Sequence, residues 1–430
     1  MTYENNHYVP RFIVNRFGER INIFDLKEGI LERKKPDKIF CSTKLYEESL
    51  EKLFNQNAES RVANILFNKI INAEGTVTLT RRELMLLKRF FSLEMLRTPV
   101  AVNYINHQRS VFHKLGKHYY LDRMFKIHPV EEELSDEEYL KQTLLSILES
   151  DDEYKWADKE NATFVAQKWT RVFNSCYFSI WDSKKCGEDF VISDIGMVCE
   201  HDPSRFYGDY GQELIKTGYY LSLLKKTKSD EEKANILKLI LNEDNVGANF
   251  YFTPLTPSRT LVLVDPFYRL FDEAEDRMLG MSKPDIWPSG FQNKGIVKKN
   301  RSRYVDLEKA MRGEKDPNDE YIYDIVDLEK EDVIYFNVLN MDRIDSLLGF
   351  GESSRVLRSL GTYLCLGKPR KDYRKLSDLL SENGYAVPRN DFCRKEAYYF
   401  ENLPNLDRAK ANEYMNETIA FMQRMGEKHA

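Results

Sequence analysis

Hydrophobic periodicity in this chain changes in long blocks, and this ordering constrains the fold more than any single motif. Residues 8–45 read as strands. Tyr8-Val9-Pro10-Arg11-Phe12-Ile13-Val14 is apolar and β-branched, Ile21-Asn22-Ile23-Phe24 alternates, and Lys27-Glu28-Gly29 marks a turn before Ile30-Leu31. Two strands joined by that turn make a hairpin. Residues 47–72 switch to helical spacing through Leu50, Leu53, Phe54, Val62, Ile65 and Leu66. Thr80-Arg81-Arg82-Glu83 is a capping box, and the helix it opens carries Leu84, Leu87, Phe90, Phe91 and Leu96 before Thr98-Pro99 interrupts it. A second helical stretch is expected to about residue 126. Ser135-Asp136-Glu137-Glu138 is another capping box within the acidic stretch 131–160, read as an exposed helix pair.

Strand patterning returns after Trp169. It covers Val172 to Trp181, Phe190-Val191-Ile192 beyond a Lys-Cys-Gly-Glu turn, Phe250-Tyr251-Phe252, and Thr260 to Val264. Residues 268–330, richer in charge, Gly and Pro, read as an insertion or irregular arm. Val333 to Phe336 reads as a strand, Asn340 to Leu348 as a helix stopped by Gly349, and 371–425 as mostly helical and charged. Strands and helices therefore come in runs rather than in alternation. That order predicts an α+β fold: a mixed or antiparallel sheet with a helical insertion and a helical C-terminal region. The expected units are 1–265, with the N-terminal β segment, helical subdomain and central strands; 266–332, the insertion; and 333–430, the final strand and C-terminal helices.

Composition narrows the class. The 25 Phe, 25 Tyr and 4 Trp supply ring area for a sizeable core. Basic residues number 64 against 69 acidic, a net charge of −5 that argues against bulk wrapping of DNA. A local basic cluster, Lys298, Lys299, Arg301 and Arg303, reads as a solvated loop. The six Cys form no Cys-x-x-Cys pair, which removes zinc-ribbon and thioredoxin-like readings, and a disulfide framework does not suit so long a chain. The start, Met-Thr-Tyr-Glu-Asn-Asn-His, lacks the basic and apolar regions of a secretory signal, and apolar runs such as Leu261–Val264 are far below the ~20 residues of a bilayer span. The expected location is cytoplasmic, with no membrane partner.

Several short segments then occur in a recognisable order. They are Asn6-His7-Tyr8-Val9-Pro10-Arg11-Phe12, Leu96-Arg97-Thr98-Pro99, Phe190-Val191-Ile192-Ser193-Asp194, Phe252-Thr253-Pro254-Leu255-Thr256-Pro257-Ser258 and Val338-Leu339-Asn340. Their order and spacing over roughly residues 6–350 resemble the uncharacterised bacterial family catalogued as domain of unknown function 4238. That family usually continues Ser-Asp-Asn-Pro, whereas Ile195-Gly196 follow Asp194 here. The resemblance implies a bacterial, intracellular protein, with phage defence or a toxin role as the neighbourhood. It carries no established activity.

Four polar residues in apolar contexts are the candidates for chemistry. His7 beside a strand is a base, a ligand or a phosphate contact, or else a satisfied histidine pinning the N-terminus. Arg97 at a helix end offers a planar fork for phosphate, or a buried ion pair with Asp194 or Glu59. Asp194 after three apolar residues is a catalytic carboxylate or a turn aspartate. Asn340 is a ligand-binding amide or a helix cap, and the cap is favoured. A divalent metal would take Asp194, His201 and Asp202 with His7, although nothing in the spacing demands one. Asp25 with Glu32-Arg33-Lys34 repeats the carboxylate-and-lysine spacing of restriction nucleases, but around a turn. Gly349-Phe350-Gly351-Glu352-Ser353-Ser354 lacks the Lys of a phosphate loop.

Two functions follow. One is an enzyme, such as a nuclease or nucleotide hydrolase, acting on nucleic acid or a nucleotide, with His7, Arg97, Asp194 and Asn340 in one pocket. The other is a non-catalytic sensor or interaction module that meets a partner protein, with those residues locked in internal bonds.

Overall fold

In a computed structural model of the chain, residues 5–43, 47–99, 101, 105, 134–149, 162–200, 250–264 and 300–401 are described, and their strands form three sheets. The strands are β1 (Asn5–His7), β2 (Ile21–Asp25), β3 (Ile30–Lys34), β4 (Cys41–Thr43), β5 (Thr76–Thr80), β6 (Tyr177–Asp182), β7 (Ile192–Ser193), β8 (Val198–Cys199), β9 (Phe250–Thr256), β10 (Arg259–Val264), β11 (Arg301–Arg303), β12 (Glu320–Asp327) and β13 (Leu347–Phe350). β1 and β4 pair alone. The large sheet runs β11-β12-β6-β10-β9-β8, with β5 also on β12, and the third sheet runs β3-β2-β13-β7. The β12–β6 pairing is parallel and the others are antiparallel, so the fold is α+β with mixed and antiparallel sheets.

The hairpin β2–β3 forms where Gly29 adopts φ +65° at the turn, a conformation suited to glycine. The helix Arg81–Leu96 begins at the expected box: the Glu83 carboxylate accepts from the Thr80 amide at 2.8 Å, and the Thr80 hydroxyl accepts from the Glu83 amide at 3.2 Å. Its apolar face packs on the helix Phe164–Ser175, with the Phe91 and Phe173 rings 6.3 Å apart. The helix Asp136–Leu148 has the second box at Ser135 and Glu138. Between residues 48 and 70, two α-helical pieces, Glu48–Phe54 and Ser60–Ile65, alternate with π turns at Asn55–Glu59 and Leu66–Ile70. No helix among the described residues is long and apolar enough to cross a membrane.

The helix Lys330–Arg343 is the wedge between the two larger sheets. Val333 and Phe336 pack with Trp181, Phe250 and Phe252 of the large sheet, while Ile334, Val338 and Met341 pack with Phe24, Leu348 and Phe350 of the smaller one. A helix buried on both sides shows no amphipathic stripe. That is why Val333–Phe336 reads as a strand from the sequence. The helix expected over Asn340 to Leu348 holds only to Arg343, and Leu347 and Leu348 instead open β13, in which Gly349 is a strand residue rather than a helix stop. Further expectations change. Arg11–Val14 is one helical turn after Pro10 rather than a strand, Val172 to Ser175 close the helix Phe164–Ser175 so that the strand begins only at Tyr177, the helix Asp136–Leu148 buries Tyr139, Leu144 and Ile147 rather than lying exposed, and β7 starts only at Ile192. The end of the expected insertion, residues 300–332, places β12 inside the large sheet, where its Ile325, Val326 and Asp327 register with Ile180, Trp181 and Asp182.

Gly349 shows how closely β13 is packed. A Cβ there would lie 2.8 Å from Ile192 Cγ2 and 3.1 Å from Ile23 Cδ1. Gly349→Ala is expected to cost about 1–3 kcal/mol by overpacking, read as a lower urea midpoint at unchanged m-value.

Candidate functional site

Two of the four candidate residues meet at one node. Arg97 caps the end of its helix, and its guanidinium is almost fully buried. It donates to Glu59 and to the backbone carbonyl of His7, lies 3.7 Å from Glu94 Oε1, and sits 4.8 Å above the Phe54 ring. Arg97 therefore touches His7 through the main chain rather than through the imidazole. Burial, with Arg11 and Arg97 nearby, lowers the His7 pKa and favours the neutral ring. Glu94 is fully buried, its carboxylate oxygens have no hydrogen-bond partner among the described residues, and burial pushes its pKa well up against the pull of Arg97. Glu51 completes the group, raised by burial and 3.4 Å from the Asn6 amide.

Asp194 is held elsewhere. Its carboxylate accepts from the amides of Asp345 at 2.9 Å, Ser346 at 2.6 Å and Leu347 at 2.8 Å, and from the Ser346 hydroxyl at 3.0 Å. These bonds build the loop that turns the wedge helix into β13. Its charge reaches Tyr8, whose phenol is pushed up mainly by burial and then by Asp194. Asn340 lies inside the wedge helix and is no cap. It donates to the Val191 carbonyl at 3.1 Å. One turn earlier, Asn337 accepts from the Val191 amide at 2.9 Å and donates to the Asp189 carbonyl at 2.8 Å. The two amides clamp the segment leading into β7. Sequence thus brings His7 and Arg97 together, puts Asp194 near Tyr8, and sends Asn340 to a separate backbone clamp.

The nuclease-like spacing does not assemble a metal centre. Asp25 Oδ1 accepts from the turn amides of Lys27 and Glu28, and Glu32 pairs with Lys34 at 2.7 Å. No metal-binding group of three His, Cys, Asp or Glu occurs among the described residues. His201, Asp202, Lys298 and Lys299 lie outside them, while Arg301 and Arg303 pair with Asp324 and Glu320 across β11–β12.

An open cleft of about 730 Å³ lies at the seam of the two larger sheets, beside the start of β2, the ends of β3, β6, β9 and β13, and the start of β10. Its lining carries Arg16, Arg20, Arg33, Lys184 and Arg355 against Glu19, Asp189 and Glu352. Arg20, Arg33 and Lys184 form no side-chain ion pair among the described residues. Arg355 is held at 3.4 Å by each of Asp189 and Glu352, and Arg16 lies 4.2 Å from the Phe67 ring centroid. Behind the cleft, Asp182 and Arg259 form a buried pair, and Arg259 also donates to the Ile70 and Ala73 carbonyls at 2.6 and 2.8 Å. That anchor fixes Ile71 and Asn72 in the cleft wall. Gly351 lets the walls meet: a Cβ there would be 3.2 Å from the Phe17 carbonyl and 3.6 Å from Pro257 Cγ.

The family model described as Protein of unknown function (DUF4238) matches residues 5–343. The chain belongs to the DUF4238 family. No curated protein and no solved structure shows a significant match. The family match takes in the Arg97 node and most of the cleft, whereas Gly351, Glu352 and Arg355 lie beyond it.

In this DUF4238 protein, sequence reasoning missed the cleft because its cations are scattered from residue 16 to 355 and none stands in a motif. One signal was present. Arg16, Arg20 and Arg33 flank a predicted hairpin, so their side chains gather near one edge once that hairpin forms. The carboxylates Glu51 and Glu94 were equally hidden, since each falls in an ordinary helical pattern, whereas Glu59 was one of the two partners that the sequence offered for Arg97.

Proposed function

We propose that this protein binds a phosphate-bearing ligand, a nucleotide or nucleic acid, in the cleft between its two larger sheets. The observation that carries the reading is the set of exposed cations, Arg20, Arg33 and Lys184, which form no side-chain ion pair among the described residues and converge on one cavity in a chain of net negative charge. Guanidinium groups hold phosphate oxygens through paired, charge-assisted hydrogen bonds, and a recess concentrates their field. The engaged states of Arg97, Asp194 and Asn340 support a binding or sensing role, in which those three organise the interior. The enzymatic reading draws its support from His7, a neutral imidazole beside an ion-pair node.

Binding of nucleoside triphosphates and of a short oligonucleotide, followed by calorimetry or anisotropy, tests the proposal. The double variant Arg20→Ala/Arg33→Ala is expected to weaken binding by about tenfold or more and to lower the salt slope by about two. Circular dichroism should show it folded. Undiminished affinity in that folded variant would sink the reading. Turnover of the bound ligand that disappears in His7→Ala would move the assignment from sensor to enzyme.

A further inference from the structure

We propose that anion binding in the cleft draws a proton onto Glu188, so that the cleft holds phosphate more tightly as pH falls through neutrality. This rests on the phosphate-binding reading and adds a control to the same site. Glu188 stands directly behind the cleft wall, one residue before Asp189, and both are buried. Its Oε1 is 3.8 Å from Arg358 Nε, beyond a normal hydrogen bond, and its Oε2 has no hydrogen-bond partner among the described residues. A carboxylate so poorly compensated is costly to keep charged. Its charged neighbours come from three elements. Arg355 and Arg358 lie on the segment after β13, Lys330 opens the wedge helix, and Asp189 follows on the same connection between β6 and β7; the Cys186 thiol lies close as well. Burial is the largest influence and pushes the Glu188 carboxyl up to about 7.

Arg355 couples this carboxyl to the ligand. It is shared by Asp189 and Glu352. A phosphate that recruits Arg355 withdraws positive charge from the Glu188–Asp189 pair and adds its own negative charge nearby. Both effects favour protonated Glu188. The coupling is reciprocal, so protonation strengthens anion binding. Affinity is therefore highest below about pH 7 and declines above it. A unit charge acting over several ångströms in a screened, partly buried setting is worth about three- to tenfold in affinity.

The probe is a thymidine trinucleotide without terminal phosphates, because phosphodiesters do not titrate near neutrality. At constant ionic strength, binding at pH 6 is expected to be about three- to tenfold tighter than at pH 8. Calorimetry near pH 7 in two buffers of different ionisation enthalpy should show net proton uptake. Glu188→Gln should keep the acid-side affinity at both pH values and take up no proton. Equal affinity at pH 6 and 8, absence of proton uptake, or an unchanged pH slope in Glu188→Gln overturns the inference while leaving the binding reading intact. If Glu188→Gln fails to fold, proton uptake by the wild type decides alone. Absence of binding at either pH removes the phosphate reading itself.

Discussion

Replacing Arg97 with methionine is expected to lower the stability of the protein by about 3–5 kcal/mol. The guanidinium is the buried cation that Glu59 and Glu94 share, and it also satisfies the His7 carbonyl. Methionine fills much of the space above Phe54 but leaves those groups uncompensated. Urea unfolding at neutral pH measures the loss. Arg97→Met/Glu59→Gln should recover part of it, because the carboxylate left without its cation is then gone. If Arg97→Met instead costs less than about 1 kcal/mol, the guanidinium is not the structural hub that its contacts describe. Any loss of ligand affinity in the folded variant beyond the change in folded population would reopen Arg97 as a phosphate contact.

Asp194→Ala is the second large effect, a loss of about 3 kcal/mol. One buried carboxylate accepts three backbone amides and a hydroxyl, and alanine leaves all four donors of the loop without it. Asp194→Asn retains one acceptor oxygen and should fall between the two. The readout that separates structure from chemistry is the rate of any turnover per folded molecule. A structural Asp194 changes the folded fraction and leaves that rate alone. A catalytic Asp194 lowers the rate in Asp194→Asn even where the protein is fully folded.

Local signals foretold local structure. Thr80 with Glu83, Ser135 with Glu138, and Gly29 in its turn each act within a few residues, and each appears where expected. The α+β class was legible for the same reason, since strand and helix periods persist over long blocks. What failed was the wedge helix. Its residues Val333–Phe336 are strand-like in propensity, and burial by two sheets erases the period that marks a helix. At the candidate site, Arg97 with Glu59 was among the readings open to sequence, because an apolar context around an arginine demands a partner. The cleft was not, because which distant cations share a cavity depends on how two sheets meet. Arg33 and Arg355 come from opposite ends of the chain.

The π turn at Asn55–Glu59 has a consequence for aim. In an uninterrupted α-helix, residues eight positions apart diverge by about 80° around the axis. Glu51 and Glu59 are so spaced, yet the charge of both acts on Arg97. A wider turn between them takes up the divergence and lines the two carboxylates along one ridge. One surplus residue in the winding thus works as a sighting adjustment: it sets the azimuth of an acid that would otherwise point past its target.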